Sequence, residues 1–266
     1  MYINIAKFEV LHLGTDNLNN VYLIENSQIP ATKHIKDLGL IIDKDLSFKH
    51  HTLYVNNKTR KLIGLLFKIF TSKNLEIYLK AYKTYILPII DYCAPLYGLN
   101  SAANRNIFER IQRVFTRRLY KRLYPCAERV SYNETLKEFS LIKIESRLVH
   151  SDLFTLFKVM SSYYRLSDVS LKLSTHKRNR FILNSFKTAR YRNSFFHRAP
   201  VSWNKLIKTK DDLSLRFKTP YSFTCTLIRI EPRDCRAHPY SIIIIIIIII
   251  IIIIINNNNN NNILVL

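Results

Sequence analysis

Alternating apolar and polar residues in the first forty-odd positions predict short β-strands. Residues 7–13 alternate in this way, residues 21–24 form a second short apolar run, and residues 35–43 are predicted as a third strand. Gly39 within the third run predicts a bulge or a close backbone approach. Three strands are too few for a domain. The pattern therefore predicts a short, incomplete β meander, the edge of a sheet whose remainder is absent.

Helical periodicity replaces the alternation after Asp45. Ser47 is expected to cap a helix that runs to about Phe70. A second helix, capped by Ser72 or Asn74, is expected to run to residue 92 with an interruption at Pro88, because proline has no backbone N–H. The chain is therefore predicted to be mainly α-helical after its N-terminal strands.

The clearest helical pattern covers residues 104–121. One face carries apolar side chains at helical spacing, namely Phe108, Ile111, Phe115 and Leu119. The opposite face carries Arg110, Arg113, Arg117 and Lys121, with Arg118 and Arg122 flanking them. A solvated surface is the ordinary explanation of such a charge run. Glu109 is the one acidic residue near the basic row, so the row lacks acidic partners at neighbouring turns. We therefore rank contact with a nucleic-acid backbone ahead of a solvated surface.

A basic helical region is predicted for residues 131–220. Residues 131–139 start with the capping-box order of Ser131 and Glu134, and residues 144–160 carry a core stripe. Basic and aromatic residues are interleaved over residues 174–198. This composition suits the binding of a single nucleic-acid strand, whose phosphates contact cations and whose bases contact aromatic rings. The candidate contacts in this stretch are Arg178, Arg180, Arg190 and Arg192. Trp203 is predicted to anchor a last short helix by packing.

Charge and glycine content narrow the class of protein. The 266 residues include 41 Lys and Arg against 19 Asp and Glu, a formal net charge of +22. Such a surplus attracts polyanions, and we rank nucleic acid first and an anionic membrane surface a distant second. The four glycines lie in no glycine-rich loop, which argues against a nucleotide-cradling domain. We expect no small-molecule substrate.

The C-terminal tail, residues 221–266, is of low complexity and is expected to be disordered. An isoleucine run at 242–255 precedes an asparagine run at 256–262. The isoleucine run is shorter than the roughly 20 apolar residues of a transmembrane helix. A repeated AAT triplet read in two frames explains both runs. A membrane-associated helical protein anchored by this tail stays the alternative interpretation. The N-terminus lacks the order of a signal peptide, so we expect an intracellular protein, nuclear or cytoplasmic.

No complete catalytic or metal site is predicted from the sequence. The adjacent Asp211 and Asp212 lie in a polar segment, whereas polymerase carboxylates sit on an apolar-flanked hairpin. Asp37, Asp43 and Asp45 are explained by turns at strand ends. The four cysteines form no standard zinc pattern with His238. A complete enzyme using His and Asp residues is a third hypothesis, for which no constellation offers support.

Six segments taken in order resemble a known family. They are residues 7–14, 35–43 with 46–51, 87–95, 108–117, 145–158 and 193–204. Together they resemble the C-terminal part of the reverse transcriptase encoded by non-LTR (LINE-type) retrotransposons. Each segment is weakly specific, whereas their common order over residues 7–218 is specific.

This resemblance implies a division of the chain and a partner. Residues 1–46 would be residual palm strands with a primer-grip-like motif, 47–130 a thumb-like helical region, and 131–220 a basic helical C-terminal region. Leu38 and Gly39 would approach the primer end, and the basic helices would hold an RNA and DNA template–primer duplex. The family's catalytic Asp pair has no counterpart here, so we expect no cofactor in this chain, although the parent polymerase would use Mg²⁺.

Overall fold

The structure is a computed structural model that describes residues 7–14, 17–160, 171–172, 174, 180–183, 185–186, 188–209 and 263–265. The chain divides into two units. The first comprises residues 1–51, 166–169 and 239–266, and the second comprises residues 52–165 and 170–238. The prediction of a mainly helical chain with a short N-terminal strand region is confirmed.

Seven short strands are described in the first unit. They are β1 (Val10–His12), β2 (Leu23–Ile24), β3 (Ser27–Gln28), β4 (Ala31–Thr32), β5 (His34–Asp37), β6 (Leu40–Asp43) and β7 (Ile263–Val265). Strand β1 is buried and lies between β4, which is parallel to it, and β7, which is antiparallel. The strands are therefore paired differently from the sequential meander that we expected.

The predicted single strand over residues 35–43 is wrong, because this stretch is a hairpin. Strands β5 and β6 pair antiparallel with Asp37 opposite Leu40. Leu38 and Gly39 form the two-residue turn with φ angles of +44° and +89°. Positive φ at both positions is the geometry that matches the twist of a tight hairpin. The glycine that we took for a bulge is the second turn residue.

Nine α-helices are described, most of them in the second unit. They are α1 (Lys49–Ile69), α2 (Leu75–Ala81), α3 (Leu87–Asp91), α4 (Ala94–Tyr97), α5 (Ala102–Leu123), α6 (Tyr132–Glu138), α7 (Ile144–Met160), α8 (Ala189–Asn193) and α9 (Phe195–Thr209). A π-helical turn, Tyr82–Ile86, joins α2 to α3 immediately before Pro88. The wider turn accommodates the proline, which cannot donate a helical hydrogen bond.

Aromatic rings and ion pairs hold the second unit together. The rings of Tyr82 and Phe115 stack 4.0 Å apart, and both residues are fully buried. Arg147 of α7 makes a two-pronged ion pair with Asp91 of α3, with N–O distances from 2.5 to 3.0 Å. Helix α7 also packs against α4, α5 and α9. Trp203 is buried in α9, which confirms its predicted role as a packing anchor.

The C-terminal tail is described at three residues. Strand β7 pairs with β1 through Val10 opposite Val265 and His12 opposite Ile263. These three positions are described as a strand at the end of the tail. The isoleucine run lies outside the described residues. Among the helices of the described part, none is long and apolar enough to cross a membrane.

Candidate nucleic-acid interface

Helix α5 presents one buried face and one cationic face. Its N-terminus is fixed by Ser101, whose hydroxyl accepts a hydrogen bond from the Asn104 N–H at 3.1 Å. The predicted apolar face is confirmed, since Phe108, Ile111, Phe115 and Leu119 are all at most 1 % exposed. The buried face packs against the rest of the second unit, so the helix cannot rotate. Its other face is therefore held towards solvent.

Five of the predicted basic residues of α5 are exposed. Arg110, Arg113, Arg117, Arg118 and Lys121 form the group that we call the α5 row. At 1.5 Å and 100° per residue, four of them occupy an arc of about 80° along about 16 Å of helix, and Arg118 flanks them. In the described part of the chain, no acidic side chain pairs with Arg110, Arg117, Arg118 or Lys121. The α5 row is therefore a line of cations without counter-charges.

Arg113 differs from its neighbours because it packs on an aromatic ring. Its guanidinium lies 4.8 Å from the centre of the Tyr132 ring. The Tyr132 hydroxyl donates to Glu109 at 2.5 Å and accepts from Gln112 at 3.2 Å. Burial and this hydrogen bond to Glu109 raise the pKa of Tyr132 well above its usual range. The tyrosine, which the sequence analysis did not single out, thus fixes one cation of the row.

Arg122, which we predicted to flank the row, has a structural role. Its guanidinium donates to the Phe70 carbonyl at 2.5 Å and to the Phe67 carbonyl at 3.1 Å. It also donates to the Tyr78 hydroxyl at 3.0 Å. These bonds satisfy carbonyl groups at the C-terminal end of α1 that have no helical partner. Arg122 therefore joins α5 to the end of α1.

The second predicted group of cations is only partly described. Arg178 lies outside the described residues, and Arg180 is half-buried. Arg190 and Arg192 are exposed on α8, and the Arg192 guanidinium lies 5.8 Å from the centre of the Phe186 ring. Helix α8 is capped by Thr188, whose hydroxyl accepts a hydrogen bond from the Tyr191 N–H at 3.2 Å. Two of the four predicted residues are therefore surface cations.

Arg198, from the same basic stretch, is instead buried in an ion pair. Its Nε donates to Asp152 at 2.7 Å, and its Nη2 donates to the other carboxylate oxygen at 3.1 Å. The same guanidinium donates to the Asn193 carbonyl, the Asn100 side chain and the Pro95 carbonyl. Burial raises the pKa of Asp152, and the Arg198 charge opposes that rise. This arginine links α4, α7 and the start of α9.

Leu38 and Gly39 form the tip of the β5–β6 hairpin in the first unit. Leu38 is 52 % exposed although it is apolar and adopts a positive φ. The left-handed region costs a residue with a Cβ about 1–2 kcal/mol. Asp43, at the base of the hairpin, accepts hydrogen bonds from His50 at 2.7 Å and from Ser47 at 2.8 Å. These bonds anchor the hairpin to the N-terminus of α1.

The carboxylates of the described residues form no candidate metal centre. No group of three or more His, Cys, Asp or Glu side chains in this part of the chain could hold a metal ion. Asp45 accepts a hydrogen bond from the Ser47 N–H at 3.2 Å, as in an Asx turn. Asp211, Asp212, Cys225, Cys235 and His238 lie outside the described residues.

Comparison with known proteins finds a distant similarity. No protein-family model matches the chain, and no solved structure matches it. The chain is similar to uncharacterized protein B0403.1 of Caenorhabditis elegans, with 27 % identity over 136 residues. The match covers 51 % of this chain and 68 % of the nematode protein.

Proposed function

We propose that this chain is the C-terminal part of a non-LTR reverse transcriptase and that it binds a template–primer duplex of RNA and DNA. The observation that carries the proposal is the α5 row, a line of exposed cations on a helix whose opposite face is locked in a core. Cations at fixed spacing can each meet a phosphate and release its counterion. The length of the row, about 16 Å, spans about five base-pair steps of a duplex.

Contacts between the family-like segments support the resemblance. Asp91 belongs to the third segment and pairs with Arg147 of the fifth. Asp152 of the fifth segment pairs with Arg198 of the sixth. Segments far apart in sequence are therefore joined by ion pairs, of which the second is buried. This explains why they would recur together and in the same order in a family with one fold.

The hairpin tip gives the proposal a second support. Residues held in sparsely populated backbone conformations cluster at functional sites. Leu38 is such a residue, and the resemblance assigns the turn of Leu38 and Gly39 to the primer end. Catalysis is not assigned to any residue described here. Polymerisation by the parent enzyme would depend on Mg²⁺ held by the family's Asp pair. A nucleic-acid ligand implies action in the nucleus or cytoplasm.

The test compares two variants that lose the same charge. The row variant replaces Arg110, Arg117, Arg118 and Lys121 by Gln and leaves Arg113 on its ring. The control variant replaces Lys58, Arg60, Lys61 and Lys68, four exposed cations of α1, by Gln. Both proteins are titrated with a fluorescent RNA–DNA hybrid.

The two variants are expected to differ strongly. Each phosphate contact contributes roughly a factor of 8 at about 0.1 M salt, so the loss of all four contacts should weaken binding of the row variant about 10³- to 10⁴-fold. The control should lose only the affinity that follows from its lower net charge. Equal losses in the two variants would show that binding follows net charge alone, and the proposed interface would be rejected.

A further inference from the structure

A cluster of exposed apolar and cationic side chains precedes and includes α8. Ile182, Leu183 and Phe186 are 43–55 % exposed within five positions of one another. Arg190 and Arg192 follow them at the surface. Residues 169–210 contain eleven Lys and Arg but no Asp or Glu. The surroundings of the cluster in sequence are therefore entirely cationic, which suits a polyanionic ligand with apolar faces.

The Phe186 ring is held in place by its neighbours. The His197 ring of α9 meets it edge-on, with the centres 4.9 Å apart and the planes at 74°. The Arg192 guanidinium lies 5.8 Å from its centre, at the limit of a cation–π contact. Burial, and next the Arg192 charge, lower the pKa of His197, which favours an uncharged ring. Phe186 nevertheless keeps 45 % of its surface exposed.

The turn that brings Arg192 back towards Phe186 is stabilised locally. Thr188 accepts from the Tyr191 N–H at 3.2 Å, and the Ser194 hydroxyl donates to the Tyr191 carbonyl at 2.7 Å. The Arg198 guanidinium donates to the Asn193 carbonyl at 2.6 Å, which ties the end of α8 to the buried ion pair. A fixed aromatic ring next to fixed cations loses little conformational freedom when it binds.

We propose that Phe186, with Arg190 and Arg192, is a stacking platform for unpaired nucleotides of a single-stranded RNA. One base stacks on the exposed part of the Phe186 ring, and the two arginines contact the adjacent phosphates. Base–aromatic stacking tolerates any sequence, because every base has a π face. This proposal rests on the proposed function, because nucleic acid is taken as the class of ligand. The platform would bind unpaired nucleotides, whereas the α5 row would bind a duplex. The two surfaces share no residue.

The test uses the full chain and a short RNA oligonucleotide containing 2-aminopurine, whose fluorescence falls when it stacks. Phe186→Ser removes the ring, and Phe186→Trp keeps an aromatic face. Ile182→Ser is the matched control, because it removes an exposed apolar side chain four positions away that cannot stack. Affinity for an RNA–DNA hybrid and for phosphatidylserine vesicles is measured for every variant, and circular dichroism verifies that each protein is folded.

The expected result is a loss confined to single strands and to the aromatic ring. Phe186→Ser should weaken binding of the RNA roughly 5- to 150-fold and abolish the quenching, whereas Phe186→Trp and Ile182→Ser should keep both. Equal losses for Phe186→Ser and Ile182→Ser, or a loss for vesicles instead of RNA, would overturn the proposal in favour of an apolar protein or membrane contact. Hybrid binding is expected to be unchanged by Phe186→Ser. If the row variant of α5 fails to change hybrid binding while Phe186→Ser still abolishes quenching, the proposed function falls and the platform stands.

Discussion

The buried ion pair between Asp152 and Arg198 allows a quantitative prediction about stability. The Asp152 side chain is 1 % exposed and the Arg198 side chain 12 % exposed. Removal of one partner from a buried pair leaves an uncompensated charge, at a cost of about 3–5 kcal/mol. Asp152→Asn keeps the volume but leaves the guanidinium without its counter-charge. We therefore expect its free energy of unfolding to fall by about 3–5 kcal/mol at pH 7.

The reverse substitution, Arg198→Met, should cost a similar amount but depend on pH. Burial raises the pKa of Asp152 even when Arg198 is present, and loss of the guanidinium raises that pKa further. A carboxyl whose pKa is raised on folding contributes stability that is present at low pH and lost as pH rises through the folded pKa. The loss of unfolding free energy caused by Arg198→Met, relative to wild type, should thus become smaller as pH falls from 7 to 5. The loss caused by Asp152→Asn should not become smaller.

Urea denaturation followed by circular dichroism measures these quantities directly. The double variant should be little less stable than the worse single variant, which corresponds to a coupling free energy of about 2 kcal/mol or more. An unchanged dependence on urea concentration verifies that the unfolded states are comparable. Single variants that each cost less than about 1 kcal/mol would refute the account of this pair as a junction of α4, α7 and α9.

Three further predictions concern other residues of the second unit. Arg122→Lys cannot reproduce the forked hydrogen bonds to α1, so unfolding free energy should fall by about 1–2 kcal/mol while hybrid affinity stays unchanged; a loss of affinity beyond the lost folded fraction would contradict the structural role. Burial lowers the pKa of His150 to about 4. The free energy of unfolding should therefore decrease as pH falls from about 6.5 to 4, because the unfolded state binds this proton more readily. His150→Leu should recover about 2 kcal/mol of relative stability at pH 4.5, measured as the urea midpoint at pH 7 and 4.5. A Cβ on Gly98 would lie 2.8 Å from Leu148, so Gly98→Ala should lower the thermal midpoint, at a cost of about 1–3 kcal/mol.

The parts of the fold that the sequence predicts well are those with clear helical periodicity. In α5 the apolar residues recur at the spacing of one helical face, and burial follows that spacing. The hairpin of β5 and β6 was missed because its turn starts with Leu38, a residue type that rarely adopts a positive φ. Strand alternation continues through such a turn, so the pattern by itself could not separate two strands from one.

Basic residues of similar sequence context turned out to have different roles. Arg118 is exposed, whereas Arg122, one turn later, is bound to carbonyl groups of α1. Arg198 pairs with a carboxylate 46 positions away, so no local spacing could reveal it. Charge runs therefore predict that a cationic surface is present. Which basic side chains are instead buried or paired depends on tertiary contacts, which local sequence does not show.

The most direct test of the proposed interface is the salt dependence of hybrid binding. Wild type, the row variant of α5 and the control variant of α1 are titrated with one RNA–DNA hybrid between about 50 and 300 mM KCl. Each phosphate contact contributes about 0.9 to the slope of log affinity against log salt, so four lost contacts should reduce the slope of the row variant by about 3–4. The control variant should keep a slope close to that of wild type. A row variant with the wild-type slope would contradict the assignment of the α5 row to the phosphate backbone.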